Sequence, residues 1–480
     1  MKTYLLPSLA CLLFLFLCLY RLPDTYAVNG DMARDSLQSL RILKSKDITF
    51  IGPPLSIGQL GTRVTYFSSA IYYIGALGLA LSGLSVLGPV VLIALLNASA
   101  VFPLHQLIKR KTTDRFLHLL GLLAYITSPI VVMYSRLFWN PSPLIGLGIW
   151  GLFFLNRSPI MFGIIAAIAV YFHYFGIWLF LFGLSFYLYK KRRKECIRAL
   201  LAWGLCISPF LLFEIRNKFY LTSSFLYNIA QKGESTPYIW HEKVTFLLEM
   251  PFHVAGLMTD PFASRFLLMG SWALWLGMCI WIFLLIKNKR NPYFLYMLIG
   301  ALTTSFASQS YIRIQYVFIT FGAIWMFNVF VSKHLQKAFL IALILLQTMN
   351  TAYAISAPVH VAQGEPFPTI SQLEEVSKYI AKSHQEGKSV NITENIRGDA
   401  RAIYLRYFLE KNKVPDLRSE LDYQHVDELY VLTPSLEKTK QENRWEFTAS
   451  GNTDIAASHK VGQWYVLKFV RPPREGQLSL

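Results

Sequence analysis

Long apolar runs alternating with short basic loops dominate the chain, and they leave little choice of fold. A helix needs about 20 apolar residues to cross the hydrocarbon core of a bilayer. Runs of this kind recur at 4–20, 88–108, 116–135, 141–155, 159–172, 174–189, 197–213, 267–286, 293–309, 314–332 and 338–355. Hydrophobic residues make up 54% of the chain and charged residues 15%, where a soluble domain carries roughly a quarter charged. The expectation is an all-α, multi-pass membrane domain of about 11 spans.

The formal charge of +18 is distributed in a way that excludes a nucleic-acid binder. Basic residues cluster between the apolar runs, in 109–115, 190–194, 287–290 and 333–337. Short Lys/Arg-rich loops between spans mark the cytoplasmic side of a membrane protein, while a nucleic-acid reader gathers its basic residues on one face. The five cysteines, Cys11, Cys18, Cys196, Cys206 and Cys279, lie in or beside apolar runs without metal-ligand spacing, and read as small apolar helix residues. The first run lacks a small-residue cleavage site and further spans follow it, so it reads as an uncleaved first span.

One more run, 66–82, is apolar enough to cross, and counting sides decides its place. With Lys2 inside, residues 21–63 lie outside. A crossing at 66–82 would put 109–111 outside and flip every later basic loop. With 66–82 lying in the interface, all four basic loops fall inside together, an arrangement much lower in free energy. An outward segment, 21–87, built of interfacial helices is therefore expected. The same count puts 136–140, the neighbourhood of His173, the loop 214–266 and 309–313 outside, together with the tail from about 356. The tail is more polar and reads as a small α/β domain: helix 373–384, strand 389–393, helix 400–411, then strands 428–433, 445–448 and 464–470. The expected division is a membrane domain over 1–355 and an extracytoplasmic domain over 356–480, with no internal repeat.

The most informative stretch follows the first span. It runs Asn29-Gly30-Asp31-Met32-Ala33-Arg34-Asp35, and a helical pattern continues to Lys44. Asp31 and Asp35 stand four apart and share one helix face. Ala33, Leu37 and Leu40 line another face, suited to lying on the membrane. Gly52-Pro53-Pro54, then Gly58 to Gly61, make a turn-rich link back to the bilayer. Two roles fit an Asp in this place. At a helix start it caps free backbone N–H groups and suits the helix dipole. At a membrane surface it equally serves as general base for an alcohol. Spacing does not choose between them.

Asp31-x-x-Arg34 after a first span resembles the first outer loop of the GT-C glycosyltransferases, among them the protein O-mannosyltransferases and the lipid A aminoarabinose transferases. The pattern Gly-Asp-x-x-Arg-Asp, then Gly-Pro-Pro, is similar to a bacterial branch of that group. An acidic residue of this loop sits in the active site of such enzymes, and many draw their sugar from a polyprenyl-phosphate carrier. Family loops often begin Asp-Glu; Met32 replaces the Glu here, so the role of a paired carboxylate falls to Asp35 or to none. Ser135-Arg136-Leu137-Phe138-Trp139-Asn140-Pro141 is similar to a Ser-Arg…Asp stretch of the O-mannosyltransferases. Asn140 stands where those enzymes tend to carry Asp, and an amide still hydrogen-bonds a sugar hydroxyl. Phe213-Glu214-Ile215-Arg216-Asn217 resembles a Phe-Glu-x-Arg signature of the bacterial group. The resemblance spans 21–355 loosely and extends to the tail only in layout.

What the resemblance implies is a glycosyltransferase of a bacterial-type plasma membrane, its active site outside the cytoplasm. It would move a hexosyl or pentosyl group from a polyprenyl-phosphate donor to a lipid, glycan or protein acceptor, with inversion, amid membrane lipids. Asp31 is the expected general base, with Arg34 and Asp35 beside it. Arg63, Arg136 and Arg313 are the candidate clamps for the leaving phosphate, because a guanidinium forks onto phosphate oxygens and stays protonated. Trp139, Asn140, His173, Glu214 and Arg216 are the candidate substrate contacts. Five of these have a structural role in competition: Arg136 and Arg313 as snorkelling cations, His173 as an interface anchor among aromatics, Glu214 and Arg216 as an interface pair. No His or Cys pair has metal-ligand spacing; a divalent cation on the acidic loop residues stays open.

Two other classes of function compete. A lipid or sugar transporter or flippase carries ionisable residues at the bilayer midplane, and the span interiors here are nearly free of them. A non-catalytic assembly subunit of the same fold would dispense with Asp31. The topology itself is directly testable. A cysteine placed in 109–115 should resist a membrane-impermeant maleimide added to intact cells; labelling there would reverse every loop assignment.

Overall fold

The computed structural model describes residues 2–26, 28, 30–54, 66–230, 336–356, 367–396, 401–424, 426–441, 445–451 and 454–470. They sort into two units. The first holds Met1–Tyr20, Asp47–Gly78 and Pro89–Ser356; the second holds Arg21–Lys46, Leu79–Gly88 and Ala357–Leu480.

The first unit is mostly helical. Among the described residues, Leu87–Lys109 and Arg193–Arg216 are long and apolar enough to cross a membrane, and the bent pair Arg115–Ile126 and Pro129–Ser135 makes a third candidate. The remaining apolar helices, Tyr4–Leu19, Ala70–Leu81, Leu144–Leu155, Pro159–Phe172, Tyr174–Tyr189 and Leu340–Ser356, are shorter. Ala70–Leu81 is about 18 Å long at 1.5 Å per residue, well short of a core of about 30 Å. The expected spans at 267–286, 293–309 and 314–332 lie outside the described residues.

The run 116–135, expected as one span, is broken by 51°. Pro129 opens the second piece and has no N–H to continue the ladder. The carbonyl of Thr127, at the break, accepts from Thr351 Oγ1 at 2.7 Å, so the interruption is satisfied by a neighbouring helix, as hydrocarbon requires. Asn97 is a second polar junction, fully buried. Its Nδ2 donates to Ser135 Oγ at 2.9 Å and to the carbonyl of Ser142 at 3.2 Å, while its Oδ1 accepts from the Gly146 N–H at 2.9 Å.

Ile51–Pro54 (β1) pairs antiparallel with Tyr66–Ser68 (β2). The Gly-Pro-Pro link expected as turn is thus a strand. A Cβ on Gly52 would lie 2.0 Å from the Ser68 carbonyl oxygen, so only glycine permits this approach. Ser68 Oγ donates to the Tyr171 carbonyl at 2.8 Å, and the Tyr174 hydroxyl donates to the carbonyl of Tyr66.

The second unit contains a four-stranded sheet in the order β3-β4-β6-β5, formed by Val390–Glu394, Glu428–Thr433, Trp464–Val470 and Asp454–Val461. Strands β3 and β4 run parallel, with the helix Ile403–Lys411 in the connection between them, as a parallel pair demands. One face of the sheet carries Leu429, Val431, Leu467 and Phe469, packed with Tyr423. The other carries Glu428, whose Oε2 meets His384 Nδ1 at 2.8 Å and whose Oε1 lies 2.7 Å from Lys468 Nζ. The run 445–448, expected as a strand, is a helix, Trp445–Ser450. Phe447 packs on the sheet through Phe469, 5.1 Å between ring centres, while Trp445 is exposed. Packing on one aromatic overrides the β preference of the run.

The outer-loop helix, Gly30–Ser45, belongs to this second unit. Ala33, Leu37 and Leu40, expected on lipid, are buried, on the side from which Arg41 and Lys44 reach Glu410 of the helix Ile403–Lys411. Their apolar stripe rests on protein.

Asn97→Ala should lower the stability of the helical unit by about 1–3 kcal/mol, since it strands the Gly146 N–H in an apolar interior. Unfolding in mixed micelles measures this; an unchanged midpoint would remove Asn97 as a junction.

Candidate functional site

The outer-loop helix starts on Gly30, whose φ of +45° favours glycine. Asp31 therefore falls in the first turn, where the exposed N–H groups and the dipole favour a carboxylate. One turn on, Arg34 binds two acids at once. Its Nη1 donates to Asp31 Oδ1 and its Nε to Asp35 Oδ1, each at 2.8 Å. The i, i+3 and i, i+4 spacing seen in the sequence thus becomes a bridged pair of carboxyls.

The two acids live in different surroundings. The Asp31 side chain is 40% exposed and that of Asp35 is 0% exposed. Asp35 Oδ2 is buried without a hydrogen-bond partner among the described residues, and so is the neighbouring Ser36 Oγ. Burial raises the Asp35 pKa to about 7, with Arg34 opposing the rise and Asp31 adding to it. The Arg34 guanidinium thus binds both carboxyls. Among the described residues no three His, Cys, Asp or Glu gather as a metal set.

The other residues singled out in the sequence belong to the first unit. Arg136 is buried, and its Nη1 donates to the carbonyls of Leu17, Cys18 and Tyr20 at 3.0, 2.8 and 3.0 Å. These carbonyls end the first helix, so the cation caps its C-terminus. Trp139 stacks on Tyr134, 5.9 Å between ring centres. Asn140 beside it is buried, and its Nδ2 has no hydrogen-bond partner among the described residues.

His173 is buried between Phe67 and Phe175, at 4.9 and 5.1 Å between ring centres, and its Nδ1 accepts from the Phe175 N–H at 3.3 Å. Burial lowers its pKa to about 3, so the ring is neutral. Glu214 is buried and accepts from the N–H groups of Leu221 and Thr222 at 3.0 and 2.8 Å, which starts the helix Tyr220–Ala230. Arg216 is exposed. Among the described residues no ion pair joins Arg216 to Glu214. Arg63 and Arg313 lie outside the described residues.

Two features escaped sequence reading. Ser36 carries no spacing signal, since a serine after an acid is unremarkable in a helix. The grip of Arg41 and Lys44 on Glu410 joins positions more than 360 residues apart, which no local pattern reveals.

No protein-family model matches the chain, and no curated protein matches it in sequence. Solved structures do resemble it. The crystal structure of ArnT from Cupriavidus metallidurans bound to undecaprenyl phosphate matches with a TM-score of 0.58 at 11% identity, over 97% of this chain and 98% of that one. The same protein in the apo state matches with a TM-score of 0.57 at 11% identity, over 97% of each chain. ArnT is a lipid A aminoarabinose transferase of GT-C type, and the chain has an ArnT-like fold.

The raised Asp35 pKa makes a signed prediction. The native state holds a proton between pH 3.8, the ordinary value, and about 7. Stability is therefore full below the lower value, falls as pH rises through the interval, and levels off above it. Asp35→Asn should abolish this fall and exceed the wild type at pH 8 by about 2–4 kcal/mol. Denaturant titration at pH 5 and pH 8 checks it; parallel pH profiles would refute it.

Proposed function

We propose that the chain is a multi-pass membrane glycosyltransferase that moves a sugar from a polyprenyl-phosphate donor to an acceptor outside the cytoplasm. The observation that carries this reading is the bridged Asp31–Arg34–Asp35 cluster on the outer-loop helix, in a fold shared with an enzyme crystallised on undecaprenyl phosphate. The chain would cross the membrane about 11 times, with the outer-loop helix and the C-terminal unit on the extracytoplasmic side.

Asp31 is assigned as general base because it is the more accessible acid of the pair. It takes the proton of the acceptor hydroxyl as that oxygen attacks the anomeric carbon. The bond from that carbon to the phosphate oxygen breaks, its electron pair leaves with the polyprenyl phosphate, and the anomeric centre inverts. Arg34 holds Asp31 by a charge-assisted bond, which fixes the direction in which the acid faces. Asp35 secures the other side of the same guanidinium.

The growing charge on the leaving phosphate is assigned to Arg63 and Arg313. Arg136 is assigned to the end of the first helix, whose carbonyls already engage its Nη1. Asn140 and Trp139 are assigned to the sugar, an amide donor beside an aromatic face. His173 and Glu214 are assigned to shaping the backbone they bond, and Arg216, exposed at the end of its helix, stays a candidate substrate contact.

The test is release of polyprenyl phosphate by the purified protein, offered a panel of hexosyl- and pentosyl-phosphate lipids with crude acceptor extract. Release from one donor is expected, reduced about 10²–10⁴-fold in Asp31→Asn. A mutant with normal turnover would remove Asp31 from the mechanism. Failure with every donor would favour a non-catalytic subunit of the same fold.

A further inference from the structure

The polar contacts that tie the outer-loop helix to the tail gather on one side of it. Arg41 Nε and Nη2 donate to Glu410 Oε1 at 3.1 and 2.7 Å, and Nη2 also lies 3.4 Å from Glu420 Oε2. Lys44 Nζ donates to the Glu410 carbonyl at 2.5 Å. At 3.6 residues per turn, Ala33, Leu37, Arg41 and Lys44 follow one stripe, and Asp31 and Asp35 fall on another, well away from it. The tail therefore grips the helix on the side away from the two acids.

The gripping residues are themselves braced. Glu410 stands near the end of Ile403–Lys411, and Tyr407 of that helix donates its hydroxyl to the Leu84 carbonyl at 2.9 Å. Arg406 is buried and donates from Nε to the Arg401 carbonyl at 3.1 Å and from Nη1 to the Arg418 carbonyl at 2.7 Å, which steadies the loop that carries Glu420. Apolar contact along Ala33, Leu37 and Leu40 is non-directional and lets a helix roll or slide. A guanidinium with two N–H groups on one carboxylate fixes both rotation and axial register.

We infer that the C-terminal unit is a positioning element for the reaction, in which Arg41 and Glu410 set the direction in which the outer-loop helix presents Asp31 and Asp35. Neither residue is assigned a substrate contact; both act through the helix. The inference rests on the transferase reading of that helix. A misplacement of about 1 Å in a reacting group lowers a rate by up to about 10², so a small roll of the helix is enough to be seen in turnover.

The experiment uses the full chain in lipid nanodiscs with the donor identified by the release assay. Arg41→Ala and Glu410→Ala should each lower kcat about 10- to 100-fold with the donor KM near the wild-type value. The exchange Arg41→Glu with Glu410→Arg should recover about tenfold over either charge-reversed single variant, because it restores the pair with the charges swapped. A swap no better than the single variants, or alanine variants with wild-type kcat, would overturn the inference. A wild type that releases no carrier from any donor would refute the transferase reading on its own. Amide exchange over 30–45 would then judge the grip. Faster exchange there in both alanine variants, with Ile370–Ser383 unchanged, supports it, and unchanged exchange overturns it.

Discussion

Hydrocarbon offers a peptide group no water, so every interruption of a helix must find its partners within the protein. The first unit is arranged around that demand. The break before Pro129 leaves the Thr127 carbonyl to Thr351. Asn97 serves a hydroxyl, a carbonyl and an N–H at one buried point. The first helix ends on the Arg136 guanidinium, and the helix Tyr220–Ala230 begins on the Glu214 carboxylate. Charged side chains at the ends of spans thus have structural work before any chemistry is asked of them.

That demand bears on how far a charged residue's role can be read from sequence. Arg136 and Glu214 stand at span ends in motifs resembling those of an enzyme group, and a cation or acid there looks the same from sequence whether it binds a substrate or a helix terminus. Only the partner distinguishes the two, and the partner is remote or lies on a backbone. Asp31, Arg34 and Asp35 are different. Their spacing places all three within about one turn of helix, so their contact is local and legible. What the spacing conceals is that one acid is half-exposed and the other wholly buried.

The same division holds for the fold. The helices Pro159–Phe172 and Tyr174–Tyr189 stand where the apolar runs end, because length and composition suffice to define them. Strand Asp454–Val461 was invisible: its sequence, Asp-Ile-Ala-Ala-Ser-His-Lys-Val, lacks clean alternation, and it is held as an edge by pairing with Trp464–Val470. The stripe of Ala33, Leu37 and Leu40 was legible as apolar, but amphipathicity names a buried face and not the surface that buries it.

The identity of that surface matters for chemistry. In the proposed transferase the donor is anchored by a polyprenyl chain and stays in the plane of the membrane, so the acid that acts on its head group would have to be held at the interface. A helix lying on lipid is free to roll about its axis, because acyl chains grip no particular azimuth. Rolling would carry Asp31 and Asp35 through an arc and exchange their surroundings. Resting the stripe on the helix Ile403–Lys411 and fastening Arg41 to Glu410 removes that freedom. Burial separates two carboxyls four residues apart on that helix: the Asp31 side chain is half-exposed, while Asp35 is buried with its pKa raised to about 7. Under the proposed transferase reading, a division of labour between the paired acids would follow from these environments, with the tail acting through the helix it holds.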